Sequence, residues 1–178
     1  MRIIAGQWRA RPLLAPPGET TRPTSDRARE ALFSMLASRV GSFEGLAVAD
    51  LFAGSGALGL EALSRGAGRC LFVENDSAAI ASLRSNIAAY CAVNAEIRAT
   101  SVLALGPAAT PFDLLLLDPP YGAGLATPAL AHLAQQGWIA PTAWISVETA
   151  RGEPLDAQGL AVDTIRTFGK AQITLLRA

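Results

Sequence analysis

Several things are scarce in this 178-residue chain, and each absence removes a class of explanation. There are two cysteines, Cys70 and Cys91, with no C-x-x-C pair, and a single histidine, His132. Neither a disulfide framework nor a metal centre is expected, and a reducing compartment, the cytoplasm, suits the composition. The start of the chain is polar and arginine-bearing rather than a signal peptide, and no apolar run approaches the roughly 18 residues of a membrane span. Formal net charge is zero, which argues against a generic nucleic-acid coat protein. Hydrophobic residues make up 51% of the chain, enough for one domain with a real core and too many for a disordered one.

The charge is unevenly spread. Residues 1–39 hold seven arginines against Glu19, Asp26 and Glu30, a balance of +4, which the remainder offsets. A basic arm on a mildly acidic body suggests local contact with phosphates, although a solvated face would read the same way on charge alone.

Residues 1–20 read as a small β-hairpin appendage, with 2–6 and 11–14 flanking Gln7-Trp8-Arg9-Ala10, ahead of a main domain over 21–178. The stretch Arg22-Pro23-Thr24-Ser25-Asp26 looks like a helix start, and Ala28, Leu32, Met35 and Leu36 follow at helical spacing. From there strands and helices alternate. Strands are expected over 46–52, 69–74, 95–100, 114–117 and 142–148. Helices are expected from a glycine loop to about 64, over 77–89 and over 127–136. A last pair, 160–167 and 171–177, has no helix between its strands and should form an antiparallel hairpin. The alternation implies a mostly parallel, doubly wound α/β sheet.

Two motifs carry chemistry. The first is Asp50-Leu51-Phe52-Ala53-Gly54-Ser55-Gly56-Ala57-Leu58-Gly59, a G-x-G-x-x-G that follows a strand and opens a helix. Glu74 ends the next strand, where a carboxylate can take both hydroxyls of a ribose. The glycine pattern alone fits a dinucleotide, so an NAD-dependent oxidoreductase is one reading. Asp50 before the loop suits a cationic amino-acid moiety better than a pyrophosphate, which favours S-adenosylmethionine.

The second motif is Asp118-Pro119-Pro120-Tyr121, directly after four leucines. The prolines stop the strand and stiffen the turn. The turn presents a carboxylate, a carbonyl and an aromatic ring, a set that can orient a planar amine and stack on its ring. A nucleobase amine, DNA adenine or a protein glutamine would each fit. His132, Trp138 and Trp144 lie away from both motifs and read as structural.

On these residues, together with Arg2-Ile3-Ile4-Ala5-Gly6-Gln7-Trp8-Arg9 and the stretch from Arg22 to Phe33, the chain resembles the RsmD family of bacterial 16S rRNA guanine-N2 methyltransferases. The resemblance implies a Rossmann-like class I fold of seven strands, the last antiparallel, with S-adenosylmethionine as donor and one guanine of small-subunit rRNA as acceptor. It implies cofactor contacts from Asp50, Phe52, Ala53, Gly54, Ser55, Gly56, Glu74, Asn75, Ser101 and Asp118. The acceptor base would meet Asp118, Pro119, Pro120 and Tyr121. Arg2, Trp8, Arg9, Arg11, Arg22 and Arg27 would face RNA, with Trp8 either stacking on a base or anchoring the hairpin. The partner would be 16S rRNA or an assembling small subunit, and the protein a monomer.

Overall fold

The computed structural model describes residues 1–16 and 23–178, with the backbone alone for 23–25. Arg22 and the residues around Gly18 lie outside the described residues.

Seven strands form one sheet in the order β3-β2-β1-β4-β5-β7-β6. The strands are β1 (Ala47–Leu51), β2 (Arg69–Glu74), β3 (Ala95–Ala99), β4 (Phe112–Leu117), β5 (Ile139–Ala150), β6 (Ala161–Phe168) and β7 (Ala171–Arg177). The pairs β1–β2, β1–β4, β2–β3 and β4–β5 are parallel. β7 runs antiparallel to both β5 and β6. This is the expected seven-stranded arrangement with an antiparallel last strand. The two central strands, β1 and β4, are buried almost throughout, as their mainly apolar sequences require.

Among the described residues, four helices cover the sheet: α1 (Pro23–Val40), α2 (Ala57–Ser64), α3 (Ser77–Ala89) and α4 (Ala126–Gln135). On one face, residues of α1, α2 and α3 pack against alternate residues of the strands, including Val48, Phe72, Leu114 and Leu116. On the other, α4 and a 3₁₀ turn (Val102–Ala104) cover Ala49, Leu51, Leu115 and Leu117. The period-two alternation of strand side chains produces these two cores.

β5 begins three residues earlier than expected. Pro141 lies within it, but the β4–β5 register shifts between Phe112 and Leu114. A proline is tolerated in that irregular stretch because it interrupts no regular ladder there.

Residues 1–16 form a hairpin-like loop with one antiparallel bridge, Arg2 to Pro12, rather than a regular ladder. Ile3, Trp8 and Leu13 are buried in the same core as α1 and α2. The Glu61 carboxylate of α2, wholly shielded from solvent, accepts hydrogen bonds from the Ile4 and Ala5 N–H groups and from Arg65 Nε. At the end of α2 the Ser64 carbonyl accepts the Gln7 N–H at 2.8 Å, satisfying a carbonyl the helix itself leaves open. Gly6 makes this approach possible: a Cβ there would lie 1.9 Å from the Ser64 carbonyl oxygen.

Candidate active site

In open α/β sheets, ligands sit beyond the C-terminal ends of strands where the strand order reverses. Here that point lies between β1 and β4. The glycine loop leaves β1 there, and Asp118-Pro119-Pro120-Tyr121 leaves β4.

The loop is held by its own backbone and by two carboxylates. Phe52 adopts φ 67°, a left-handed conformation uncommon for an aromatic residue. Ala53 N–H donates to the Val73 carbonyl, and Gly56 N–H to the Ala53 carbonyl. The Glu74 side chain accepts three backbone N–H groups, from Gly54 at 2.8 Å, Asn75 at 2.8 Å and Asp76 at 2.9 Å. It therefore joins the end of β2 to the glycine loop. Asp50 is buried, and its carboxylate accepts the Gly59 N–H at 2.8 Å. Burial pushes the Asp50 carboxyl up to about 7; the Gly59 N–H opposes the shift and the charge of Glu74 adds to it. In this geometry the Asp50 carboxylate fastens the start of α2 to β1.

The three glycines serve different ends. Gly54 (φ 55°) opens onto free space, leaving room for a ligand against the backbone. A Cβ at Gly56 would meet Leu83 at 2.4 Å, and one at Gly59 would meet Phe72 at 2.3 Å and Cys70 Sγ at 2.6 Å. Gly59 lets α2 lie close on β2, and Gly56 makes room for Leu83 of α3.

A cleft of about 170 Å³ opens beside the loop, bounded among others by Phe52, Glu74, Asn75, Ser101, Leu103 and Pro120. Four of the expected cofactor residues thus line one cavity, and Pro120 of the second motif forms part of its wall. Ala53, Ser55 and Gly56 are buried and shape the loop rather than line the cleft. Ser101 also accepts the Leu103 N–H, which caps the 3₁₀ turn.

In the second motif, Asp118 N–H donates to the Leu51 carbonyl at 3.3 Å, extending the β1–β4 pairing by one step. Asp118 and Pro120 are exposed, and Pro119 is buried. Tyr121 is half exposed, and its hydroxyl donates to Glu148 Oε1 of β5.

Of the residues expected to face RNA, Arg2, Arg9, Arg11 and Arg27 are exposed. Arg11 donates to the Ala89 carbonyl at 2.7 Å and lies over the Tyr90 ring. Trp8 is 9% exposed and packs on Tyr90 with ring centroids 5.1 Å apart, so it anchors the segment and leaves little surface for a base. Arg22 is outside the described residues. His132 bonds the Leu105 carbonyl, and Trp138 stacks on Phe112 and donates to the Gly106 carbonyl; neither is among the residues that line the cleft.

Three further residues take roles that were not anticipated. Asn86 of α3, buried, bonds both backbone groups of Leu14 and the Ser55 carbonyl, so the N-terminal segment touches the glycine loop through one side chain. Arg29, also buried, donates to Asp26 at 2.9 Å, and desolvation lowers its proton affinity. Glu148 meets Tyr121. An amide on a mainly apolar helix face, as at Asn86, signals a buried partner without naming it.

Comparison with known proteins settles the family. The family described as "Conserved hypothetical protein 95" matches residues 1–177. Ribosomal RNA small subunit methyltransferase D of Escherichia coli (strain K12) is 42% identical over 150 residues, 84% of this chain and 74% of that protein. The chain belongs to the RsmD family. A Haemophilus influenzae protein of the same RsmD name is 38% identical over 160 residues, 87% of this chain and 81% of its own. Among solved structures, the "putative methyltransferase yhhF from Escherichia coli" superposes with a TM-score of 0.86 at 37% identity, covering 99% of this chain and 97% of its own. A magnesium protoporphyrin IX methyltransferase from Synechocystis with bound SAM shares the fold alone (TM-score 0.69, 14% identity, 90% and 86% covered). This RsmD-family chain is therefore a methyltransferase with a Rossmann-like class I fold. Among the described residues, no helix is long and apolar enough to cross a membrane.

Proposed function

We propose that this protein transfers a methyl group from S-adenosylmethionine to the exocyclic N2 of a guanine in 16S rRNA of the small ribosomal subunit. The observation that carries the reading is the shared wall: Pro120 of the acceptor turn lines the cleft that Phe52, Glu74, Asn75 and Ser101 form beside the glycine loop. A donor in that cleft and an acceptor on that turn would lie side by side. The rRNA substrate is supported by the names of the relatives, small subunit methyltransferase D.

The residues suit the cofactor. Gly54 leaves free space where a side chain would stand, and Glu74 stands at the cleft with a carboxylate suited to ribose hydroxyls. When bound, S-adenosylmethionine would supply an electrophilic methyl on a sulfonium centre.

The chain's task is then to prepare the acceptor. The lone pair of a guanine N2 is delocalised into the ring, so the amine is a weak nucleophile. Hydrogen bonds from its N–H groups to the Asp118 carboxylate and the Pro119 carbonyl would draw it toward tetrahedral geometry, and Tyr121 would stack on the ring. The amine proton becomes acidic only as the N–C bond forms, and can pass to Asp118 or water. A guanine within a folded stem would have to be turned outward to reach the turn. Arg2, Arg9, Arg11 and Arg27 would hold neighbouring phosphates.

Mass-spectrometric mapping of small-subunit rRNA from cells with and without the gene tests the proposal. Loss of one N2-methylguanine is expected. An unchanged rRNA, with methyl transfer to DNA adenine or protein glutamine instead, would overturn it.

A further inference from the structure

Glu148 belongs to neither motif. It follows Val147, which pairs with Leu117 of β4, so the register sets Glu148 level with Asp118 on the neighbouring strand. Adjacent strands lie about 4.8 Å apart, which keeps the two residues at one edge of the sheet. Burial raises the proton affinity of the Glu148 carboxyl above the ordinary range, and the hydrogen bond from the Tyr121 hydroxyl opposes that rise. A carboxylate withdrawn from water is costly unless it is hydrogen-bonded, so the pair holds together for the sake of both groups.

The bond also completes a span. At its first residue, the turn is fixed to β1 through the Asp118 N–H and the Leu51 carbonyl. At its last, it is fixed to β5 through the Tyr121 hydroxyl. Gly122 and Gly124 follow with φ of 72° and 63°, conformations that favour glycine, so the chain turns away directly after the ring.

We propose that Glu148 is a positioning residue of the acceptor site: by holding the Tyr121 hydroxyl, it sets the plane in which the tyrosine ring meets the target base. The inference rests on the proposed function, in which Tyr121 stacks on that base. A ring already fixed in the free enzyme loses less freedom when the base arrives, and the gain appears in productive RNA binding.

The test is steady-state kinetics with rRNA and S-adenosylmethionine varied separately, on Tyr121→Phe, Glu148→Ala, Glu148→Gln, the Tyr121→Phe/Glu148→Ala double variant and Tyr121→Ala. Tyr121→Phe and Glu148→Ala should each raise KM for RNA about tenfold, the scale of one charge-assisted hydrogen bond. Affinity for S-adenosylhomocysteine, read by calorimetry, should hold. The double variant should be no worse than either single one, and Glu148→Gln, whose carbonyl still accepts the hydroxyl, should recover most of the loss. Additive losses would overturn the inference, as would an RNA KM unchanged in Tyr121→Phe while Tyr121→Ala raises it. Tyr121→Phe keeps the test valid even should Glu148→Ala fold poorly. An RNA KM unchanged in Tyr121→Ala would overturn the acceptor reading itself, and the inference with it.

Discussion

The carboxylate of Asp50 accepts the Gly59 N–H at 2.8 Å, so the residue at the end of β1 fastens the helix that follows the glycine loop. The carboxyl is buried, and its affinity for a proton is raised to about 7. The folded protein therefore keeps a proton that the unfolded chain releases near pH 4. Stability from this group is greatest at low pH and falls as pH rises through the window from about 4 to about 7, by a few kcal/mol at most. Asp50→Asn retains an acceptor for Gly59 and removes the titration. Calorimetric melting should show the variant gaining on the native protein between about pH 4 and about pH 7. A difference that does not change with pH would contradict this.

Glu74 bridges the end of β2 and the glycine loop. Glu74→Ala leaves three backbone N–H groups without their acceptor and removes the carboxylate from the cleft. Affinity for S-adenosylhomocysteine should fall by about tenfold or more, the scale of one or two charge-assisted hydrogen bonds. Isothermal calorimetry measures it directly.

The glycines of the loop should differ when changed to alanine. Gly59→Ala drives a Cβ to 2.3 Å from the buried Phe72 ring, whereas Gly54→Ala meets open space and only a positive φ. Overpacking costs about 1–3 kcal/mol, and a chain of this size loses about 2–4 °C in melting temperature per kcal/mol. Gly59→Ala should therefore melt several degrees lower, and Gly54→Ala should show its larger effect on cofactor affinity.

Asp118→Ala should abolish methyl transfer while leaving cofactor affinity largely intact. The Asp118 hydrogen bond to β1 is made by its backbone, which the substitution retains. Turnover preserved while cofactor affinity falls would run against the proposed role.

Deleting residues 1–15 would be a poor probe of RNA binding. It removes Ile3, Trp8 and Leu13 from the core and strips Glu61 of two donors, so the deletion should unfold the protein or lower its melting point sharply. Arg9→Ala is the cleaner test. It should weaken RNA binding and make the slope of log K against log salt shallower by about one unit, the signature of one phosphate no longer neutralised. Cofactor affinity should stay the same.

The order of strands and helices is legible in the chain because its punctuation is strong. α3 spans the expected residues: Asp76 precedes it and caps the Ala79 N–H. β2 and β7 likewise match, each an apolar run with a clear break before it. β5 reads short in the sequence because Pro141 looks like a boundary, and only the bulge opposite Asp113 explains why the strand continues. The site is readable as two motifs, but not as joined parts. That Pro120 shares a wall with Ser101, that Tyr121 meets Glu148 and that Asn86 reaches Ser55 follow from strand order and side-chain reach. Local pattern carries neither. Trp8 shows the same limit: the sequence leaves it between stacking on a base and anchoring the hairpin, and its burial depends on Tyr90, far along the chain.

The sealed Glu61 carboxylate also has a meaning in time. During synthesis, Ile4 and Ala5 emerge ahead of their acceptor, which follows 56 to 57 residues later. Until α2 has formed, those N–H groups and the apolar Ile3 and Trp8 have no place to settle. The segment therefore waits for a helix 56 to 57 residues downstream, a long-range pairing of the kind that slows folding. A mutation in α2 would be felt first as a loose N-terminus, at the segment whose arginines are proposed to meet the RNA.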